Sequence, residues 1–394
     1  MSPHSKKEYM EAIIKRYKMA SKTQKQLILD EFCAATRYHR KHAIRLLRGF
    51  KRFIKPQPKP RGPRPTYDSP ELLKALKRIW LASNQPCASR LKALLPLWLP
   101  SYRPVSGELP LQIQEALKTI SSATINRLLK PVRVQYNKRG RATTKPGTLL
   151  RKQIPLKTNQ WDESRPGFLE ADTVAHCGDS LAGQFAFTVD CVDIATGWTE
   201  QRAVWGKGET GVLEQLRHIE QSLPFPLLGF DSDNGSEFLN HHLLRHFTQR
   251  KNPVQFTRSR AYHKDDNAHI EQKNWTHVRQ WLGYYRFDNP EIVPLLNDLY
   301  TQQWRLFHNF FLPSVKLLAK ERIASKTIRR YDSPKTPYQR VMESPSISPA
   351  IKQVLKALFK TLNPFHLRAA MEKKLEKIFS CQSHKKSTSA LKPR

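Results

Sequence analysis

Three carboxylates of this chain are candidates for metal-dependent chemistry: Asp172, Asp233 and Glu271. Each is predicted to lie in or at the end of a different strand or helix, so folding can bring them together. The first two belong to residues 161–250, whose net charge is −8 in a chain of formal net charge +35. Carboxylates near bound phosphate are unfavourable unless cations lie between them, and Mg²⁺ prefers carboxylate oxygens. An acidic domain that only balances its basic neighbours fits the composition equally well.

The positive charge predicts a polyanionic partner. Lys and Arg number 68 against 33 Asp and Glu, and residues 1–66 and 313–394 each carry a net charge of +14. Such a charge destabilises a compact chain by self-repulsion unless a polyanion neutralises it. Because 39% of the residues are hydrophobic and 10% are aromatic, a wholly disordered basic protein is excluded. A nucleic-acid-binding protein is expected, although many ribosome-associated proteins have the same composition.

Length, cysteines and hydropathy limit the class of protein further. A chain of 394 residues predicts two to four domains at about 150 residues each. The five cysteines are scattered and odd in number, which excludes a disulfide framework and predicts reduced thiols. No apolar run reaches the length of about 18 residues that a membrane span needs. We therefore expect a soluble, cytoplasmic protein without membrane contact.

The N-terminal region predicts a helix-turn-helix in residues 1–54. Ile28, Phe32 and Ala35 recur at helical spacing, and Thr36 is predicted to cap a second helix. This second helix is expected to present four basic residues to duplex DNA: Arg37, Arg40, Lys41 and Arg45. Basic helical hairpins also occur in domains that bind no DNA.

A second helix-turn-helix is predicted in residues 68–132, beyond a proline-rich basic linker at 55–67. Ser122 or Thr124 is expected to cap its second helix, and the exposed side then carries Asn126, Arg127 and Lys130. Two modules in tandem would lengthen the recognised DNA site. A second basic linker follows at 133–160.

From residue 167 the pattern changes to the alternation typical of strands. Three strands are predicted in 167–206, with a hairpin turn at Ala195-Thr196-Gly197, and a fourth strand is predicted before Asp231. A helix over about 236–250, a short strand and a long helix over about 266–285 follow. This order predicts an α/β ribonuclease H-like core, a mixed sheet with flanking helices, in residues 161–300.

Within this region the sequence resembles the catalytic cores of retroviral integrases and of bacterial DDE-type insertion-sequence transposases. The resemblance lies in LEADTV around Asp172, in the strand-turn-strand FTVDCVDIATGWTEQRAV, in SDNG followed by EF at Asp233, and in DDNAHIEQKN around Glu271. In that family the first Asp lies on a central strand, the second precedes Asn-Gly, and the Glu lies on a helix. The 37 residues between Asp233 and Glu271 slightly exceed the family's best-known spacing.

The resemblance implies a DNA transposase or integrase that uses two Mg²⁺ ions, with Mn²⁺ as a substitute. Asp172 would bridge both ions, while Asp233 and Glu271 would each hold one. Strand cleavage by a metal-activated water would then be followed by attack of the freed 3′-hydroxyl on target DNA. Since two element ends must be joined, a dimer or larger homo-oligomer on double-stranded DNA is expected, in a bacterial, nucleoid-associated setting.

Other charged residues near this site in the sequence could bind DNA or compete for the catalytic roles. Lys264, Lys273 and Arg279 could hold DNA phosphates near Glu271, or could be ordinary solvated bases. Several other carboxylates compete for the catalytic roles: Glu170, Asp190, Asp193, Asp231, Glu237, Asp265 and Asp266. Fit to the motif favours Asp172 and Asp233 over them.

The C-terminal third contains a further resemblance to the transposases. A basic stretch leads into YDxPxTPYxR, here Tyr331 to Arg340, and implies a DNA-contacting segment over 301–345. Lys326, Arg329 and Arg330 would contact the DNA backbone, and Pro334 and Pro337 are expected to keep the segment extended. Two amphipathic helices split at Asn363-Pro364 and a disordered tail are predicted in 346–394.

The sequence is also compatible with two other functions. One is a DNA-binding regulator derived from a transposase, with its chemistry unused. The other is a metal-dependent nuclease of the same fold that stops after hydrolysis.

Overall fold

A computed structural model describes residues 1–49, 67–103, 108–134, 164–233, 235, 237–259, 268–323 and 326–388. The chain divides into two compact units, Met1–Thr66 and Tyr67–Arg394. Lys264, Asp265 and Asp266 lie outside the described residues, as do both linkers apart from residues 67, 133 and 134.

The first unit is a bundle of three helices, α1 (Pro3–Met19), α2 (Lys22–Thr36) and α3 (Arg40–Leu47). Ile28 and Phe32 are buried in its core, as expected, but Ala35 is exposed. Thr36 does not cap α3, because it is the last residue of α2 and its hydroxyl donates to the Phe32 carbonyl. Arg37 then ends α2 in the left-handed conformation, and His39 caps α3. The break between the two helices is therefore longer than the sequence predicted.

The second unit begins with four helices, α4 (Pro70–Ala82), α5 (Ala88–Trp98), α6 (Leu111–Thr119) and α7 (Ser122–Val134). The cap of α7 is Ser121, whose hydroxyl accepts from the Thr124 amide at 3.1 Å, and not Ser122 or Thr124. These helices share a hydrophobic core with later parts of the unit. For example, the Trp98 indole donates to the Phe311 carbonyl at 3.1 Å.

A five-stranded mixed sheet forms the centre of the second unit. Its strands are β1 (Phe168–Ala175), β2 (Ala186–Asp193), β3 (Thr199–Trp205), β4 (Gly229–Ser232) and β5 (Gln255–Arg258). Their order in the sheet is β3-β2-β1-β4-β5; β1 to β3 are antiparallel, and β4 and β5 run parallel to β1. With helices on both faces, this is the predicted ribonuclease H-like core. The fourth strand passes through Asp231 and does not end before it.

Helices α8 (Glu209–Ser222) and α9 (His241–Thr248) pack on one face of the sheet. The helix expected from residue 236 begins only at His241, because Asn240 caps it by accepting a hydrogen bond from the Leu243 amide at 2.9 Å. The residues between β4 and α9 are thus available to form a turn beside Asp233.

The long predicted helix covers the other face and is not uniformly α-helical. It consists of α10 (Ala268–Lys273), a π-helical stretch at Asn274–Arg279, and α11 (Gln280–Leu282), and it ends at Gly283. Next come α12 (Ile292–Leu299), a second π-helical stretch at Tyr300–Trp304, and α13 (Arg305–Phe311). Insertion of an extra residue into a helical turn re-aims the side chains that follow, and such turns are frequent at functional sites.

The C-terminal part corrects one expectation and confirms another. The basic segment forms a β-hairpin, β6 (Leu317–Ile323) and β7 (Lys326–Tyr331), and is not an isolated extended strand. Pro337 is the first residue of α14 (Pro337–Glu343), because a capping box between Thr336 and Gln339 starts a helix there. Helices α15 (Pro349–Thr361) and α16 (Pro364–Thr388) are divided as predicted. Among the residues described, no helix is both long and apolar enough to cross a bilayer.

Candidate active site

Asp172 lies near the middle of β1, just beyond the last residue pair that β1 makes with β4. Its Oδ1 accepts the Thr173 amide at 2.7 Å, and its Oδ2 accepts Asn274 Nδ2 at 2.6 Å. The first contact is local to β1, whereas the second comes from the π-helical stretch. Two elements therefore fix the orientation of this carboxylate.

Asp233 directly follows β4 and opens the turn that leads to α9. Its Oδ1 accepts the Gly235 amide at 3.0 Å, which folds the turn back on the carboxylate. A Cβ at Gly235 would lie 2.9 Å from Asp233 Oδ1 and 2.7 Å from Glu237 Oε2. A larger residue at 235 would therefore displace one or both carboxylates from these positions.

Glu237 is buried beside the two aspartates. Its Oε1 accepts hydrogen bonds from Thr173 Oγ1 at 2.8 Å and from Lys207 Nζ at 2.7 Å. Lys207 is about half exposed, with 47% of its side-chain surface accessible, whereas Glu237 retains only 2%. The ion pair thus joins a buried anion to the protein surface.

The electrostatics of the two aspartates indicate concentrated negative charge. Burial and the neighbouring Asp233 carboxylate raise the pKa of Asp172 to about 7. Burial and the charge of Glu237 likewise raise the pKa of Asp233. Burial also opposes ionisation of Glu237, but the hydrogen bond and charge of Lys207 outweigh it and hold the pKa of Glu237 below its usual value. A bound cation would relieve the repulsion between Asp172 and Asp233.

Glu271 occupies the first turn of α10 and is exposed to solvent. It precedes Asn274 by three residues, so it lies about one helical turn before the residue that holds Asp172. The structure therefore brings Asp172 and Asp233 together with Glu237, and it leaves Glu271 on the element next to them. Among the described residues, no three His, Cys, Asp or Glu side chains are grouped closely enough to hold a metal ion together.

Besides Glu237, four rival carboxylates are buried, and each accepts a hydrogen bond within the fold. The donors are the Ile270 amide for Glu170 (3.2 Å), Gln201 Nε2 for Asp190 (2.8 Å), the Gly167 amide for Asp193 (2.7 Å) and Thr257 Oγ1 for Asp231 (2.6 Å). Asp193 also accepts from the amide and hydroxyl of Thr196, and so closes the β2–β3 turn. These contacts give the rivals structural roles.

Of the basic residues predicted near Glu271, Lys273 is buried and Arg279 is partly buried. Lys273 is 6% exposed, and Asp190 is the charge that favours its protonated form. Burial lowers the pKa of Lys273 to about 8. The side chain of Lys273 therefore lies in the interior, whereas both sequence interpretations, a phosphate contact and a solvated base, assumed an exposed position. Arg279 is partly buried; it donates to the Ala175 carbonyl at 2.7 Å and lies over the Tyr284 ring.

The other predicted DNA-binding residues lie on the surface. In the first unit Arg37, Arg40, Lys41 and Arg45 are exposed, and Arg40 is paired with Asp30. In the second unit five residues are exposed: Asn126, Arg127, Lys130, Arg329 and Arg330. Lys326 is the first residue of β7. These positions permit DNA contact but do not test it.

The candidate site fits a hard divalent cation. Its donors are oxygen atoms: the carboxylates of Asp172 and Asp233, and Asn274 Oδ1, which is buried and accepts no hydrogen bond within the described part of the chain. Mg²⁺ and Mn²⁺ favour such donors. Sequence reasoning missed Asn274 and did not assign a role to Glu237. The spacing of Asn274 from Glu271 and the EF that follows SDNG were the available signals.

No family model matches the sequence of the chain. Among solved structures, the chain is similar to the catalytic core domain of BIV integrase, with 12% identity, 44% of this chain and 91% of that chain covered, and a TM-score of 0.28. It is also similar to a simian T-cell lymphotropic virus intasome in complex with PP2A regulatory subunit B56 gamma, with 15% identity, 60% and 72% coverage, and a TM-score of 0.31. At these TM-scores the likeness carries no weight, and the fold class rests on the strand order.

A relative in Sinorhizobium fredii (strain NBRC 101917 / NGR234) is much closer in sequence. It carries the description "uncharacterized protein y4rM" and is 40% identical over 343 residues. The alignment covers 86% of this chain and 96% of the relative. The chain therefore belongs to the same protein family as y4rM of Sinorhizobium fredii.

Proposed function

We propose that the chain is a DNA polynucleotidyl transferase of the transposase and integrase type, which cleaves DNA strands and joins the freed 3′-hydroxyl ends to target DNA. The observation that carries this proposal is the convergence of Asp172 and Asp233, which come from neighbouring strands of a ribonuclease H-like sheet and are close enough for one carboxylate to raise the pKa of the other. The transposase-like motifs around both residues support the same function.

In this function Asp172 and Asp233 would hold Mg²⁺ or Mn²⁺, with Glu271 as a third ligand supplied by α10. Bound divalent cations supply Lewis-acid activation of the attacking oxygen and neutralise charge on the phosphate. Asn274 keeps Asp172 in one orientation through the 2.6 Å hydrogen bond. The Gly235 amide does the same for Asp233 at 3.0 Å. Because both carboxylates are held before substrate arrives, little reorganisation is needed for the reaction.

The exposed basic residues would bind double-stranded DNA outside the acidic site. The first unit would use Arg37, Arg40, Lys41 and Arg45, and the second would use Asn126, Arg127, Lys130, Arg329 and Arg330. Lys264 and Lys326 belong to the same proposed set. Phosphate contacts of this kind position the duplex, whereas base contacts select its sequence. A homo-oligomer of two or more chains would hold two DNA ends at once.

Asp233→Asn tests the function directly. The variant keeps the size of the side chain and its acceptor for Gly235, but it loses the charge that binds cations. We expect it to bind DNA carrying the element ends like the wild type and to lose Mg²⁺-dependent cleavage and joining by at least about 100-fold, since removal of one ligand charge disables metal-ion catalysis. Exposed Asp179→Asn is the matched control. Wild-type joining by Asp233→Asn would contradict the proposal.

Two further assays separate the alternatives. A nuclease of the same fold would cleave DNA but would not join a supplied 3′-hydroxyl end to target DNA. A DNA-binding regulator would bind the element ends and do neither, with or without Mg²⁺.

A further inference from the structure

The hydrogen-bonded ladder between β1 and β4 ends before it reaches the two aspartates. The last residue pair is Ala171 and Ser232; Asp172 is the next residue of β1, and Asp233 is the first residue after β4. Parallel pairing therefore aligns the two strands but does not set the separation of the two carboxylates. Contacts beyond the ladder must hold the turn that begins at Asp233 against β1.

Glu237 makes such a contact. Its Oε1 accepts from Thr173 Oγ1 at 2.8 Å, and Thr173 is the neighbour of Asp172 on β1. The same oxygen accepts from Lys207 Nζ at 2.7 Å, on the segment that follows β3. One carboxylate oxygen thus joins the Asp233 turn to β1 and to the β3–α8 connection.

The main chain of Glu237 is also held in place by a hydrogen bond. Asn240 Nδ2 donates to the Glu237 carbonyl at 2.8 Å, and Asn240 Oδ1 caps α9. Glu237 Oε2 packs on Gly235, where a Cβ would lie 2.7 Å from it. Glu237 is therefore fixed by α9 on one side and presses against the Asp233 turn on the other.

We infer that Glu237 is a positioning residue for the cation site, which sets the spacing of Asp172 and Asp233 through its hydrogen bond to Thr173. This inference rests on the proposed function, because it assumes that the two aspartates bind a divalent cation. Glu237 itself stays paired with Lys207 and does not bind the cation. Partners that orient metal ligands commonly change metal affinity by about 10- to 100-fold when they are removed.

The experiment is a double-mutant cycle on Mn²⁺ affinity, measured by calorimetry on the full chain at pH 7.5. Thr173→Val removes the hydroxyl but leaves every charge and the Thr173 amide in place. Glu237→Met removes the carboxylate that accepts from both Thr173 and Lys207, and it keeps a side chain of similar length. Thr173→Ser keeps a hydroxyl and serves as the rescue variant. Glu209→Gln, at an exposed position on α8, is the matched control for loss of a glutamate charge.

If Glu237 acts through Thr173, Thr173→Val and Glu237→Met each weaken Mn²⁺ binding by about tenfold or more. The double variant is then no weaker than the weaker single variant, because both changes break the same connection. Thr173→Ser and Glu209→Gln bind like the wild type. Every variant must also have a melting temperature above the assay temperature, so that weaker binding cannot be caused by unfolding.

Two results would overturn the inference. Wild-type affinity in Thr173→Val together with weak binding in Glu237→Met would make Glu237 a direct ligand. Lower melting temperatures with unchanged Mn²⁺ affinity in both variants would make its role purely structural. The proposed function fails separately, and the inference with it, if the wild type binds no Mn²⁺ or if Asp172→Asn binds Mn²⁺ as tightly as the wild type.

Discussion

At the scale of single residues, the pKa of Asp172 is the property that links folding to function. Burial and Asp233 raise it to about 7, so the carboxyl group of the folded, metal-free protein is still protonated where the unfolded chain has already ionised. Such a residue lowers stability in its ionised state. The protein tolerates this cost at the position where a cation would bind.

This shift predicts a pH dependence of stability. The unfolded chain loses the Asp172 proton near pH 4, whereas the native state keeps it to about pH 7. Stability therefore falls as the pH rises through this range and is lowest above it. Asp172→Asn removes the charge, and the Asn274 amide can turn over to present its oxygen to the new amide. We expect the variant to be more stable than the wild type at pH 8 by on the order of 2–4 kcal/mol, and nearly equal to it at pH 4.

Urea unfolding in EDTA at pH 4, 6 and 8 measures this difference. Asp179→Asn, an exposed change of the same kind, is the control and should follow the wild type. A destabilised Asp172→Asn variant at pH 8 would show that the carboxylate stabilises the metal-free fold.

The sequence allowed Asp172 and Asp233 to be predicted because local signals mark both: a strand around the first, and an Asn-Gly turn after the second. It did not reveal what Glu237 contacts, because Thr173 and Lys207 lie 64 and 30 residues away in the chain. Lys273 was assigned to the surface by its charge alone. Its burial depends on how α10 rotates against β2, which helical periodicity in a short segment does not determine.

At the scale of elements, the π-helical stretch after α10 determines which side chains face the site. It begins at Asn274, the residue that holds Asp172. A regular α-helix was expected over the whole of 266–285, and no residue type in that range marks the change. Tertiary packing against β1 and β2 decides it, which is why the succession of strands and helices could be predicted here and the helix geometry could not.

The hairpin β6–β7 is a second element whose form depends on its surroundings. Its base is held where the Lys316 amide donates to Asp332 Oδ1 at 2.6 Å and Arg340 Nη2 donates to Asp332 Oδ2 at 2.8 Å. The proline-rich motif after the hairpin suggested an extended segment. The contact between Arg340 and Asp332, which holds the base of the hairpin, cannot be recognised from the sequence.

The proposed DNA contacts of this hairpin predict a salt effect. Arg329→Gln with Arg330→Gln removes two exposed positive charges from β7. If both residues contact phosphate, the slope of log affinity for duplex DNA against log salt concentration becomes shallower by about 2, whatever the DNA sequence. Fluorescence anisotropy from low to moderate salt measures the slope.

A matched control removes the same charge elsewhere. Lys356→Gln with Lys360→Gln changes two exposed residues of α15, outside the predicted DNA-contacting segment. An equal change of slope in both double variants would indicate general charge attraction and would remove the hairpin from the set of DNA contacts.

At the scale of the whole molecule, the positive charge of the chain contrasts with the acidic stretch in its ribonuclease H-like core. The overall charge of +35 attracts a polyanion, yet the residues around Asp172 and Asp233 concentrate negative charge. These two features are compatible with DNA binding when cations lie between the carboxylates and the phosphates. The unequal distribution of charge along the chain was visible in sequence, whereas the pairing of β1 with β4, which brings the two aspartates to neighbouring positions, was not.

The most direct measurement is anomalous X-ray diffraction from crystals soaked in Mn²⁺, which locates the ion without any assumption about activity. We expect a manganese peak about 2.1 Å from a carboxylate oxygen of Asp172 and of Asp233 in the wild type, and no such peak in Asp233→Asn. A wild-type crystal in which manganese binds elsewhere, with both aspartates free of it, would contradict the account.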